Sequence, residues 1–176
     1  SIHQIISMNK LFYNTDLSFF IADNLNTSNV EDMSYLFAFS KIEKIDLSIF
    51  SSENVKDMSY MFYQCSFLSE ISYISYLDTS KVENMSHMFS GCESLKNLDG
   101  INFDTRKVKD MAKMFQGCMH LSSLDLNSFD TFLVTDMSYM FENCNLLSEL
   151  NIDNFFAGQV TSMKSMFKYC TELKNL

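Results

Sequence analysis

The chain contains no proline and no tryptophan, and only 4 of its 176 residues are glycine. Ordinary domains use more glycine and proline, because their turns need them. The turns of this protein must therefore be built mainly from Asp, Asn, Ser and Thr. The chain also has no apolar run approaching the ~18–20 residues that a membrane helix needs, so we predict no membrane span in this segment.

Basic residues are scarce as well. The chain has 13 Lys plus Arg against 22 Asp plus Glu, and its net charge is −9. The densest basic cluster contains only Arg106, Lys107 and Lys109. Nucleic-acid binding depends on cationic side chains that neutralise phosphates, so we predict no nucleic-acid partner. Binding to an anionic membrane surface is disfavoured for the same reason.

Phenylalanine and methionine are abundant, with 17 and 13 copies, and they recur at fixed positions. The segment from Val134 to Cys144 reads VTDMSYMFENC, and related segments occur along the whole chain. The units start near residues 5, 30, 55, 82, 108, 134 and 160, at intervals of 25 to 27 residues. We number them coil 1 to coil 7 and predict one repeat domain over residues 1–176.

Each unit has two halves with different periods. In the first half, Met137, Met140, Phe141 and Cys144 have the i, i+3, i+4, i+7 spacing of one helix face, and Asp136 stands at the N-cap position. The second half contains alternations such as Leu124–Leu126, which have the two-residue period of a strand. We therefore predict a short helix or helical turn followed by a short parallel strand in each unit.

A unit of about 26 residues cannot bury its own apolar stripe, but stacked units can cover one another. The sequence therefore predicts an α/β solenoid of about seven coils. Equal positions of successive coils should then form ladders of Met on Met, Phe on Phe and Cys on Cys.

The unit V-x-D-M-S-x-M-F-x-x-C-x-x-L-x-x-L-D-L-x-x-F-D-T resembles the repeat of BspA-like leucine-rich repeat surface proteins. In particular it resembles the mycoplasma-type lipoprotein repeat domain of unknown function, over nearly all of residues 5–176. The resemblance implies a leucine-rich-repeat-like solenoid in a bacterial cell-surface or secreted protein. It also implies a role in adhesion or virulence through contact with host or matrix proteins, and it brings no catalytic residues.

The cysteines share one slot of the repeat, on the apolar stripe. Thr15 and Ser40 occupy that slot in coils 1 and 2. We predict a buried structural ladder, because a buried free cysteine behaves as a small hydrophobic residue. Disulfides between adjacent coils and a metal site are the alternatives, although an odd number cannot pair fully and no CxxC spacing supports zinc. The five residues are Cys65, Cys92, Cys118, Cys144 and Cys170.

No catalytic constellation recurs in the chain. The histidines are His3, His87 and His120, none of them in a repeated pattern with Ser, Cys or Asp, and no glycine-rich phosphate loop is present. We predict no enzyme activity, no cofactor and no metal. Calcium between coils is an alternative for two acidic slots, and turn capping is the other. Those slots contain Asp46, Asp99 and Asp125, and Asp78, Asp104 and Asp130.

Two sets of outward residues are candidates for binding. Tyr35, Tyr60 and Tyr139 share the slot between the two Met positions, and tyrosine is enriched in interfaces. The second set lies on the strand face and comprises Lys96, Asp99, Ser122 and Asp125. We predict a non-catalytic, surface-exposed scaffold for protein–protein interaction or adhesion. The alternative is a structural spacer or coat element that presents another domain and has no ligand of its own.

The C-terminal end stops midway through a unit, at Leu176, without the polar cap that terminal coils of solenoids need. An apolar cross-section with an open strand edge would then be exposed. We expect either a longer natural chain, of which this is a piece, or end-to-end self-association.

Overall fold

Successive coils lie side by side, with equal slots facing each other. The computed structural model describes residues 5–20 and 25–175. In these ranges the strands are β1 (Lys44–Asp46), β2 (Glu70–Ser72), β3 (Ser123–Asp125) and β4 (Glu149–Asn151), and a short 3₁₀ helix spans Ile74–Tyr76. β1 pairs with β2 and β3 with β4, both in parallel. The predicted repeat solenoid is confirmed.

The first half of each coil is a series of tight turns, and the predicted short helix is wrong. No α-helix occurs in the part of the chain that the structure describes. In coil 5 the N–H groups of Met114 and Cys118 donate to carbonyls three residues earlier. The Gln116 N–H does the same, and the N–H groups that alternate with these three donate to the next coil, for example from Lys113 to Ser138 at 2.9 Å and from Phe115 to Met140 at 2.9 Å.

Left-handed residues explain why these turns do not continue into a helix. Lys113 has φ 57° and Gly117 has φ 74°, and the equivalent Tyr60 and Gln64 both have φ 57°. A left-handed residue breaks a right-handed helix, so every fourth residue redirects the chain. Every second N–H is then free to bond to the next coil, and these bonds offset the cost of the left-handed conformations.

The core is one continuous apolar cluster that runs through all seven coils. Its centre is a ladder of nearly parallel phenylalanine rings whose centroids are 5.3 to 5.7 Å apart. Offset stacking of this kind is a favourable arrangement for aromatic rings. Each coil therefore buries the apolar side chains of its neighbours. The stacked rings are those of Phe12, Phe37, Phe62, Phe89, Phe115, Phe141 and Phe167.

The strand ladder is interrupted at coil 4. In coil 5 a turn closes between the Leu126 carbonyl and the Phe129 N–H, at 2.9 Å. In coil 4 the turn closes two residues earlier, between Leu98 and Ile101, at 3.1 Å. Gly100, with φ 79°, occupies the slot that Leu126 fills in coil 5. The early turn leaves two separate strand pairs and a depression on the strand face.

No helix in residues 5–20 and 25–175 has the length and apolar character needed to cross a membrane.

Candidate functional site

A groove lies on the strand face of coils 4 to 7, next to the early turn of coil 4. We call it the strand-face groove, and its volume is about 900 Å³. It is open on one side, and its walls come from the strand segments of successive coils. The groove is lined by residues 98–102, 123–125, 127, 128, 148–151 and 175.

Three carboxylates give the groove its charge: Asp99, Asp125 and Glu149. One oxygen of Asp125 accepts the N–H of Asn127 at 3.0 Å. Among the described residues, Asp99 and Glu149 have no side-chain hydrogen bond, and none of the three carboxylates belongs to an ion pair. This groove therefore has polar groups that the fold does not use.

The strand-face candidates from the sequence divide into two pairs. Asp99 and Asp125 line the groove. Lys96 and Ser122 do not line it, and their backbones belong to the ladder between coils, where the Ser122 N–H donates to the Lys96 carbonyl at 3.3 Å. Sequence reasoning missed Glu149. The sequence did contain one signal for an irregular turn at this place. Gly100 occupies a slot in which the repeat has an apolar residue.

The tyrosine candidates do not all meet. Tyr35 stacks on Tyr60 with ring centroids 4.4 Å apart, and Tyr60 stacks on His87 at 4.2 Å. Tyr139 stands apart from them, and the Nζ of Lys113 lies 5.3 Å from its ring centroid. Because stacking covers the ring faces, the Tyr35–Tyr60–His87 column presents mainly ring edges and hydroxyls to solvent.

Two members of the column, Tyr60 and His87, have shifted pKa values that favour their neutral forms. Burial raises the pKa of Tyr60, whose hydroxyl is further disfavoured as an anion by the nearby Tyr35. Burial, together with the charge of Lys113, lowers the pKa of His87 to about 4. The neutral imidazole therefore stacks on Tyr60 as an uncharged aromatic ring.

The cysteines form a column inside the core. Cys65, Cys92, Cys118 and Cys144 are buried, Cys170 is half-buried, and all five are free thiols. Each thiol lies next to the phenylalanine carbonyl of the preceding coil, as Cys118 does with Phe89 at 3.3 Å.

Burial makes these thiols poor nucleophiles. It raises the pKa of Cys65 to about 11 and that of Cys118 to about 12. A thiol with such a pKa carries almost no thiolate, which is the form that reacts and binds metals. Within the described ranges, no group of three or more His, Cys, Asp or Glu residues is arranged to hold a metal ion.

The acidic slots close turns. Asp130 accepts the N–H of Phe132 at 2.8 Å, and the Thr105 hydroxyl donates to the Asp130 carbonyl at 2.8 Å. A separate acidic slot begins each chain of turns, where Asp110 accepts the Ala112 N–H at 2.8 Å. The same contact in a helix would be an N-cap. Asp and Thr side chains therefore supply the turns that glycine and proline usually build.

The stacked coils, the shared core and the repeated slots define a repeat solenoid protein. The chain belongs to the family described as "Mycoplasma protein of unknown function, DUF285", whose model matches residues 1–74 and 67–176. The predicted membership of a repeat-protein family is thereby confirmed.

Among solved structures, the chain is similar to a leucine-rich repeat protein of T. pallidum. The two are 15% identical with a TM-score of 0.42, and the match covers 97% of this chain and 71% of the other. No curated protein matches the chain.

Proposed function

We propose that this protein is a non-catalytic repeat scaffold that binds a protein partner through the strand-face groove. The observation that carries the proposal is the groove itself, where an early turn opens about 900 Å³ beside Asp99 and Glu149, whose side chains have no hydrogen-bond partner among the described residues. Elsewhere on the solenoid, the equivalent acidic slots are used to close turns or pair neighbouring coils.

A continuous core suits such a scaffold. Because the apolar slots and the backbone hydrogen bonds between coils hold the coils together, outward slots can vary without loss of fold. The slot between the two Met positions contains Lys10, Tyr35, His87 and Ser165 in different coils. A groove held on a rigid core also loses little conformational entropy when it binds, which favours affinity.

We further propose a location at the cell surface or outside the cell, with a BspA-like adhesion role and attachment as a lipoprotein. The resemblance of the repeat supports this. Buried thiols are compatible with an oxidising environment, since burial keeps Cys65 and Cys118 protonated at neutral pH. Labelling intact producing cells with a membrane-impermeant biotin reagent should mark the protein. Labelling only after lysis would contradict the location.

The spacer alternative is favoured by a different observation. Ion pairs join neighbouring coils on the outside of the rod, including Lys56–Glu31 and Lys109–Glu83, both at 2.6 Å. Contacts that join successive coils in this way suit an element that presents another domain. A spacer needs no groove, however, so blocking the groove should leave a spacer's activity unchanged.

The binding proposal can be tested with beads that carry the protein, applied to host cells and to immobilised matrix proteins. We expect saturable attachment that free protein competes away. Ser128→Trp, which places a bulky ring in the groove, should abolish attachment. Ser48→Trp is the matched control, because Ser48 is exposed on coil 2 outside the groove. Absence of saturable attachment would contradict the proposal, and equal effects of the two variants would point away from the groove.

A further inference from the structure

The charge of the strand-face groove is not balanced by the protein itself. Five of the ion pairs among the described residues join a cation of one coil to an acid of a neighbouring coil. On the same strand face, Glu70 is paired in this way with Lys44 at 2.8 Å. Within residues 5–20 and 25–175, Asp99, Asp125 and Glu149 have no such cation, so three carboxylates line the groove without an ion-pair partner.

The spacing of Asp99 and Asp125 suits an extended peptide, and Glu149 of coil 6 lies beside them in the slot of Ser123. Asp99 and Asp125 occupy the same slot of adjacent coils, and the stacked phenylalanine rings of those coils are 5.7 Å apart. An extended chain places its alternate side chains roughly 6.6 Å apart on one side. A peptide that runs along the solenoid axis can therefore present every second side chain to a new coil.

Two exposed tyrosines stand on the strand side of coil 3, which precedes the first wall of the groove. Tyr73 and Tyr76 are 52% and 62% exposed, and their rings meet edge to face at 5.2 Å. This arrangement leaves ring faces accessible, unlike those of the Tyr35–Tyr60–His87 column. Arginine and lysine bind over such faces through cation–π attraction.

We infer that the strand-face groove binds an extended, basic segment of the protein partner, with alternate Arg or Lys side chains paired to Asp99 and Asp125 and a further one to Glu149. This inference rests on the proposed function and names the chemistry of the partner. Arginine fits best, because its guanidinium can form two parallel hydrogen bonds with one carboxylate.

The test uses a fluorescein-labelled peptide with the sequence Arg-Ser-Arg-Ser-Arg between Gly-Ser flanks, titrated with the whole chain by fluorescence anisotropy. The groove variant is Asp99→Asn/Asp125→Asn/Glu149→Gln. It keeps the oxygen that accepts the Asn127 N–H and removes three charges. The matched control is Glu53→Gln/Glu93→Gln/Glu172→Gln, which removes three charges from exposed side chains outside the groove.

We expect the groove variant to bind the arginine peptide about tenfold more weakly than the unmodified protein, and the control variant to bind it nearly as well as the unmodified protein. A Glu-Ser-Glu-Ser-Glu peptide should not bind. Circular dichroism should show that both variants are folded. Equal weakening in the two variants would overturn the inference, because bulk charge would then explain binding. No binding to the unmodified protein would overturn it as well.

The same variants separate this inference from the proposed function. If beads carrying the groove variant still attach saturably while Ser128→Trp does not, the groove binds a partner that is not basic. The inference then falls and the proposed function stands. If unmodified beads never attach, the proposed function falls, whatever the arginine peptide does.

Discussion

At the scale of the residue, the repeat assigns one physical task to each slot. The sequence shows five cysteines in one slot, and it shows that Ser40 can replace them. It cannot show the contact between each thiol and a carbonyl of the preceding coil, because that carbonyl lies 28 to 30 residues away in the chain. Slot identity is thus predictable from the sequence, but the partner of each slot requires the stacking geometry.

Thiol reactivity should follow burial along the cysteine column. We expect Cys170, which is half-buried, to react first with a disulfide reagent such as DTNB under native conditions. The four buried thiols should react only when the protein unfolds. The Cys170→Ser variant should lose the fast phase. Two or more fast thiols in the unmodified protein would contradict the buried column.

A stabilising substitution is available at Ser52. This residue occupies the slot three residues before the Val of the next coil, which we call the Thr slot. In coils 4 and 5 the slot contains Thr105 and Thr131, whose hydroxyls donate to carbonyls of the next coil at 2.8 and 2.9 Å. The Ser52 hydroxyl is buried and has no partner among the described residues. Ser52→Thr should fix the hydroxyl in the orientation of the other coils and raise the free energy of unfolding by ~1 kcal/mol. The reverse change, Thr105→Ser, should lower it in the same urea titration, and a destabilised Ser52→Thr protein would refute the slot's role.

Stability should also depend on pH through Asp110. Burial and the neighbouring Asp136 raise the pKa of Asp110 above its ordinary value of 3.8. The charged form is therefore the destabilising one, and its cost is present above the raised pKa and absent below the ordinary value. Asp110→Asn keeps the acceptor for Ala112 and should raise stability at pH 7 by about 0.5 kcal/mol.

That gain should shrink as the pH falls through the raised pKa and vanish in acid, which chemical denaturation at several pH values can measure. Asp46→Asn is the control, because Asp46 is exposed on the strand face. A gain for Asp110→Asn that is independent of pH would show that charge is not its cause.

At the scale of the element, the helix prediction failed because two structures share one spacing. Apolar residues at i, i+3, i+4 and i+7 fit a helix face, and they also fit a chain of turns with left-handed residues at fixed places. In coils 4, 5 and 6 the second left-handed position contains Gly91, Gly117 and Asn143, residues that tolerate positive φ. Asp136, in the N-cap position of the pattern, also favoured a helix. The sequence does not show the row of carbonyls on the next coil. Hydrogen bonds to those carbonyls offset the cost of the repeated left-handed residues.

Substitutions at Asn143 distinguish the series of left-handed turns from an α-helix. Its φ is 62°, and glycine occupies the same slot in coils 4 and 5. We expect Asn143→Gly to preserve stability and Asn143→Val to lower the free energy of unfolding by about 1–2 kcal/mol, because a β-branched residue strongly disfavours the left-handed region. Thermal unfolding of both variants provides the measurement. In an α-helix the order would reverse, since glycine is the poorer helix residue.

At the scale of the whole molecule, the solenoid was predictable and the groove was not. The repeat places the same apolar slots in each of seven coils. Stacking the coils is the arrangement that buries those side chains. The groove depends on a turn that closes two residues early at Gly100 and on the side chains of three later coils. Gly100 is a local signal for the turn, but the sequence does not show which side chains surround it. The residues that line it, including Glu149, become neighbours only after stacking.

End-to-end association of this segment remains a prediction, and a further coil in a longer natural chain is the alternative. In coil 7, the N–H groups of Met163 and Phe167 have no backbone partner among the described residues, whereas those of Met137 and Phe141 donate to the next coil. Met163 is also 51% exposed. Open donors beside an apolar surface favour self-pairing. Sedimentation velocity should therefore show mass increasing with concentration, and a monomer over the whole range would contradict it.

The central claim is that each coil buries the apolar side chains of its neighbours in register. Nuclear Overhauser contacts between ring protons of the phenylalanine ladder test this most directly. We predict contacts from Phe115 to both Phe89 and Phe141, residues that lie 26 positions away on either side in the sequence. Helical amide contacts within residues 111–118, together with no contact between these rings, would contradict the stacked solenoid.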